Sequence, residues 1–231
     1  MSHFTVAVFS KTPGDVEGLL APFIEQVDAD SPYAEFVEDE DCDYDENCDY
    51  DENAKAKGYW RNPRARWDWW EVGGRWRGLL QLRPGKTGYT APLDRWHKDF
   101  VYPPHRCDAA LVADCDFSPS EARIRQAARL WEVAVEGDAP REGEEFFSPW
   151  KPEYYLDRYG DKETFIRRES AFSTHAFLTA EGEWHEQGRM GWFGMDDSTN
   201  ESISRYEKAF QAYLEEARKK GLAMTIVDCH I

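Results

Sequence analysis

WDWWEVGGRW, residues 67–76, sets four tryptophans around a Gly-Gly pair, and its reading decides what kind of sheet the chain builds. Read as a hairpin turning at Gly73-Gly74, it belongs to an antiparallel or mixed sheet; a bulge within one strand is the alternative. Strand alternation would put Trp67, Trp69 and Glu71 on one face and Asp68, Trp70 and Val72 on the other. Arg75 and Arg77 would share a face opposite Trp76. Tryptophan on both faces predicts an aromatic wall. It either packs into a core, with Asp68 or Glu71 pairing Arg75, or lines a pocket. In a pocket, Arg beside Trp suits a planar, anionic ligand.

Working outward, HFTVAVFS (3–10) is short, β-branched and aromatic, which predicts a buried strand. Thr12-Pro13 reads as the start of a helix carrying Val16, Leu19, Leu20 and Phe23, kinked or ended near Pro22. Trp67 to Leu82 reads as the hairpin, 83–107 as loop, and Asp108 to Phe117 as a strand. Ser118-Pro119-Ser120-Glu121 is a helix start, with Ile124, Ala128, Trp131 and Val135 at helical spacing and Gly137 as its stop. Residues 138–170 are polar and aromatic without a clear period. Phe172–Ala180, the turn at Glu181-Gly182 and Glu183–Gln187 read as a second hairpin. Ser198-Thr199-Asn200-Glu201 opens a helix bearing Ile203, Tyr206, Phe210, Tyr213 and Ala217, ending at Gly221. AMTIVDCHI (223–231) closes as a strand. This order predicts an α+β fold: a mixed or antiparallel sheet with helices packed on one face, a ferredoxin-like arrangement being one candidate. A single domain over 1–231 is expected, interrupted by an acidic insertion at about 35–58.

Composition narrows the function. A net charge of −17 argues against direct binding of nucleic acid or an anionic membrane, and leaves small ligands, metals and basic proteins. There is no apolar run long enough to span a bilayer and no signal-peptide pattern at the start, so a cytosolic location is expected. Cys42, Cys48, Cys107, Cys115 and Cys229 form an odd set without a CxxC, which predicts reduced thiols. G-x-G-x-x-G, P-loop, H-E-x-x-H and G-x-S-x-G motifs are absent.

Three stretches could carry chemistry. EGEWHEQGRMGWFGMDD (181–197) repeats the Trp-Gly-Arg theme of the opening stretch. The expected ligand-binding set is therefore Trp67, Trp69, Trp70, Arg75, Trp76, His185, Arg189 and Trp192, with Asp196 and Asp197 as helix caps. The insertion repeats CDYDEN at 42–47 and 48–53. There Asp41, Asp43, Asp45, Asn47, Asp49 and Glu52 match the ligand spacing of a calcium loop, although Glu46 stands where that loop needs glycine. A solvated loop, or a surface that mimics nucleic acid for a basic partner through Asp41, Asp43, Asp45, Asp49 and Glu52, are the other readings. Finally, Asp114 and Asp116 at one predicted strand end, with Asp228 and His230 on the last strand and His175 on another, could meet as a divalent-metal site. The metal set is Asp114, Asp116, His175 and His230, against local hydrogen bonding and capping.

WDWWEVGGRW, EGEWHEQGRMGWFG and the closing VDCHI, in that order, resemble a family of uncharacterised phage and bacterial proteins. The segments are specific in spelling but cover a minor part of the chain, and the acidic repeat lies outside them. The resemblance implies a phage-type accessory protein, acting in the host cytosol, with opposition to host defences as one role, and brings no assigned activity. Three functions remain open. One is binding of a small anionic or nucleotide-like ligand in a Trp/Arg pocket, sequestering a defence signal. Another is an acidic mimic that blocks a basic protein. The third is a metal-dependent phosphoesterase.

Overall fold

The computed structural model describes residues 2–39, 48–50, 56–95, 97–144 and 150–231. It divides into two compact units, one formed by Met1–Cys115 with Thr174–Ile231 and the other by Asp116–Ser173.

In the larger unit the elements run β1 (His3–Ser10), α1 (Val16–Leu20), β2 (Glu35–Glu38), β3 (Cys48–Tyr50), β4 (Ala56–Arg61), β5 (Trp69–Val72), β6 (Leu80–Gln81), β7 (Arg106–Cys107) and β8 (Ala109–Leu111). In the smaller unit follow α2 (Glu121–Ala134), α3 (Pro152–Tyr159) and α4 (Lys162–Ser170). The larger unit resumes with β9 (Ala176–Leu178), β10 (Trp184–Glu186), α5 (Asn200–Lys220) and β11 (Ala223–His230).

The fold is α+β, built on a mixed sheet of order β10-β9-β1-β11-β5, with β8 also paired to β11. β1 and β11 are antiparallel along their whole length, from His3 opposite His230 to Ser10 opposite Ala223. β9 runs parallel to β1, and the β9–β10 hairpin turns at Gly182 as its sequence predicts. A ferredoxin-like sheet would set the second strand of that hairpin beside β1; here the first strand takes the place.

Helices lie on both faces of the sheet, where the sequence suggested one. The reason is that β1, β9 and β11 are buried at nearly every position and carry apolar residues on both sides, so each face needs a cover. On one face Phe4, Val6, Val8, Val227 and Cys229 pack against Val16 and Leu20 of α1, Phe23 and Trp67. On the other, Phe9 and Phe177 meet Phe210 and Tyr213 of α5 at centroid separations of 4.9 to 6.3 Å. Each such fully buried apolar side chain contributes roughly 1.5–3 kcal/mol. Thr199 caps α5 by accepting from Ser202 N, one residue later than expected, and Gly221 closes it in the left-handed conformation.

Gly73-Gly74 is not a hairpin turn: β5 ends at Val72, a 3-10 turn follows over Gly74–Trp76, and β6 pairs with β7 instead of β5. Nor does the alternation start at Trp67, because β5 begins at Trp69; Trp67 is a core residue on the same side as Trp70. The strand expected over 108–117 is also shorter. It ends at Leu111 and turns into a 3-10 turn, Val112–Asp114, where Val112 N bonds Leu222 O.

The insertion holds more structure than its sequence suggested. β2, β4 and β3 form a three-stranded antiparallel sheet, in which Phe36 meets Trp60 at 5.0 Å. Cys48 is disulfide-bonded, which corrects the expectation of reduced thiols there. Cys107, Cys115 and Cys229 are free and buried.

In the smaller unit, α2 is capped by Ser120, two residues beyond the expected Ser118. Ala127 and Trp131 of α2 share a core with Tyr155 of α3 and Phe165 of α4. No helix among the described residues is long and apolar enough to cross a membrane.

Candidate functional site

The site is built where β1, β11 and β5 end together. Pairing sets His3 opposite His230, Trp69 opposite His230, and Glu71 opposite Asp228, so these side chains stand on one face. That is the face α5 covers further along the strands. Here, polar groups replace the aromatic core.

They are organised as Asp–His pairs. Nδ1 of His230 lies 2.6 Å from Oδ1 of Asp68. Nδ1 of His3 lies 2.9 Å from Oδ1 of Asp228. Nδ1 of His97 lies 3.0 Å from Oδ1 of Asp94. In each pair a carboxylate accepts from Nδ1–H, so in that tautomer Nε2 carries the lone pair and is the ring's acceptor. The rings of His3 and His230 are 4.9 Å apart, edge to face.

Asp228 is almost fully buried and is satisfied by the loop after β5: its Oδ2 accepts from Arg75 N at 3.0 Å. This explains the Gly-Gly pair. Gly74 has φ +49°, and a side chain on it would overlap that of Asp228. Gly73 has φ +77° and comes close to Asp108 and Arg77 in the same way. Buried Asp108 accepts from Gly78 N at 2.7 Å, from Ala91 N at 2.8 Å and from the Tyr102 hydroxyl. Burial and the Asp108 bond push the Tyr102 hydroxyl up to about 12. Arg77 is buried behind Glu71 at 3.5 Å and Asp94 at 4.0 Å. Burial raises the Glu71 carboxyl above its ordinary value, against the lowering pull of Arg77.

A cleft of about 530 Å³ opens beside the His230 end of β11. Glu25, Asp68, Arg189, Trp192, Asp197 and His230 line it. The loop forming its outer wall is firmly held. Ser2 Oγ donates to Gly191 O at 2.7 Å and accepts from Gly194 N at 2.8 Å, while Arg189 N donates to Asp197 Oδ1 at 2.6 Å. The loop carries Trp192 76% exposed and Phe193 81% exposed, with Phe193 at φ +62°. A second depression of about 510 Å³ is lined by Trp67, Trp69, Trp70, Ile24 and Tyr33 among others.

The expected ligand set is thus divided. Arg189 and Trp192 share the His230 cleft, and Trp67, Trp69 and Trp70 line the other depression. Arg75 is exposed and acts on Asp228 through its backbone. Trp76 is half-buried at the end of the 3-10 turn. His185 stacks on Phe177 at 4.5 Å.

The expected metal set is placed on separate partners. Asp114 pairs with Lys86 at 2.8 Å, and Asp116 accepts from Ser118 N at the start of the smaller unit. His175 bonds Gly188 O through Nε2 at 2.8 Å, and His230 bonds Asp68. Of the acidic set, Asp41, Asp43, Asp45 and Glu52 lie outside the described residues, and Asp49 is exposed on β3. Burial pushes Cys107 up to about 11 and Cys115 up to about 12, so neither is a ready thiolate.

Sequence reasoning missed His3, Asp68, Glu71, Asp94 and His97 as site residues. The Asp228/His230 spacing was the one signal pointing to this face. Comparison with protein-family models, curated proteins and solved structures finds no match for this chain.

Proposed function

We propose that the chain binds a small planar ligand in the cleft between the Gly188–Met195 loop and the end of β11. The carrying observation is that Trp192 stands exposed on a pinned loop in the same cleft as Arg189, Asp68 and His230. A large ring held out in water is unfavourable and gains by stacking on another planar group. Arg189 supplies a fork for a phosphate or carboxylate. Glu25, Asp68 and Asp197 outnumber that single guanidinium, which favours a ligand that brings its own cation, as a nucleotide brings Mg²⁺. A nucleotide-like ligand meets all three conditions. What supports a phage setting, in which such binding removes a signalling nucleotide, is the resemblance of the three sequence segments.

The test is calorimetric titration of the full chain with adenine nucleotides in Mg²⁺. Arg189→Ala and Trp192→Ala should each weaken binding by about tenfold or more, the scale of a lost ion pair or stacking contact. Trp69→Ala and Arg75→Ala should leave it unchanged. Absence of binding, or binding indifferent to Arg189 and Trp192, overturns the reading.

A further inference from the structure

We propose that Glu71, Asp94 and His97 hold a divalent transition-metal ion of the manganese or zinc class. Their ligand atoms lie within 4.8 Å of one another. Donors bound to one ion at 2.0–2.2 Å stand at most roughly 4.4 Å apart, so a small side-chain rotation closes the site. Two carboxylates and one imidazole form a mixed oxygen and nitrogen set that suits Mn²⁺ or Zn²⁺ better than Ca²⁺.

The surroundings favour a cation. Asp228 faces Glu71 across the β5–β11 register, and Asp94 lies beside it, so like charges are held together. Arg77 offsets them only in part. Its Nη2 lies 3.5 and 4.0 Å from the two carboxylates, longer than the roughly 2.7–2.9 Å of a charge-assisted hydrogen bond. A carboxylate has about four acceptor positions, more than the one long Arg77 contact occupies on Glu71. Arg77 is also buried with its Nε lacking a hydrogen-bond partner, a donor available to an oxygen brought in with the ion.

The orientation of His97 fits as well. His97 Nδ1 and Asp94 Oδ1 are 3.0 Å apart, the separation of two donors on one ion, so a cation can take the place of the proton they share. His3 and His230, each held by a carboxylate of its own (Asp228 and Asp68), stand on the same sheet face as Glu71. The inference does not rest on the ligand cleft.

The experiment strips the full chain with chelator and titrates it with Mn²⁺, reading free ion by electron paramagnetic resonance, with Zn²⁺ as competitor. One equivalent should bind and be displaced by Zn²⁺. Glu71→Gln and His97→Ala should each weaken it at least about tenfold. If His97→Ala does not fold, Asp94→Asn, at a half-exposed position, replaces it. Because the acidic run could collect cations loosely, a variant carrying Asp41→Asn, Asp43→Asn, Asp45→Asn and Asp49→Asn is titrated beside them and should keep the tight equivalent. Absence of a tight equivalent overturns the proposal. So does tight binding that the acidic-run variant loses, or that survives in Glu71→Gln and Asp94→Asn.

Discussion

Gly74 lies with its backbone directly against the side chain of Asp228, so closely that a Cβ at position 74 would overlap the Asp228 Cβ. The contact joins residues far apart in the chain and lets Arg75 N reach a buried carboxylate. Gly74→Ala must therefore displace Asp228 while holding a non-glycine residue at φ +49°. It should lower stability by about 2–4 kcal/mol, a strained backbone plus a disturbed buried charge. Gly18, inside α1, is the control: a Cβ there meets nothing within 4 Å, and Gly18→Ala should raise stability by about 0.5–1 kcal/mol. Urea denaturation of both variants checks this. A harmless Gly74→Ala would mean the glycine is not needed for the approach.

Asp108 tests the second anchor of the same loop. It is completely buried and accepts from two backbone amides and the Tyr102 hydroxyl. Asp108→Ala leaves the two amides without an acceptor, while the Tyr102 hydroxyl keeps Ala91 O at 3.2 Å, and should cost about 3–5 kcal/mol. Tyr102→Phe removes one donor and leaves the carboxylate its amide bonds, so about 1–2 kcal/mol is expected. A smaller loss for Asp108→Ala than for Tyr102→Phe would reverse this hierarchy.

These two anchors also show why part of the structure was legible in the sequence and part was not. β1, β11, the β9–β10 hairpin and α5 announce themselves through local signals: apolar runs, a Glu-Gly turn, a cap and a terminal glycine. Those signals act over a few residues. The Gly-Gly pair was visible, but its reason was not, since Asp228 is set beside it only by the β5–β11 pairing. The Asp–His pairs fail for the same reason. His3 and Asp228 are separated by 225 positions, and His230 and Asp68 by 162. Only the Asp228/His230 alternation, on one strand, could be seen in advance. α3 and α4 were missed because Tyr154, Tyr155, Tyr159 and Phe165 crowd a stretch dense in charge, which hides the helical period; Asp161 caps α4 by accepting from Thr164 N at 2.7 Å.

His175 gives the protein a defined response to acid. Burial lowers its proton affinity below the ordinary value of 6.5, and this outweighs the attraction of Asp196. The folded chain therefore holds the ring neutral while the unfolded chain takes up a proton. As pH falls through 6.5 the unfolded state binds more protons, so stability is lost until the folded pKa is reached. Above that window the residue adds no slope. Denaturation midpoints between about pH 7.5 and 5.5 should fall more steeply for the wild type than for His175→Gln, by at most about 1.4 kcal/mol per pH unit. Parallel profiles would show that His175 charges as readily in the fold as outside it.

Phe193 is where stability and binding should part. It sits at φ +62° and ψ +25°, a left-handed conformation that is uncommon for a bulky residue, and its ring is exposed. Its ring contact is with Trp192, itself exposed, at 6.5 Å, which is little to set against a backbone cost of about 1–2 kcal/mol. Glycine adopts the same angles without strain, though it loses more chain entropy on folding. Phe193→Gly should therefore stabilise the free protein by roughly 0.5–1 kcal/mol, measured by thermal or urea unfolding. If the loop is held in this shape to present aromatic rings to a ligand, the same change should weaken nucleotide binding even as the midpoint rises. A variant that loses stability would show instead that the Phe193 ring supports the loop from within and is not held out for a ligand.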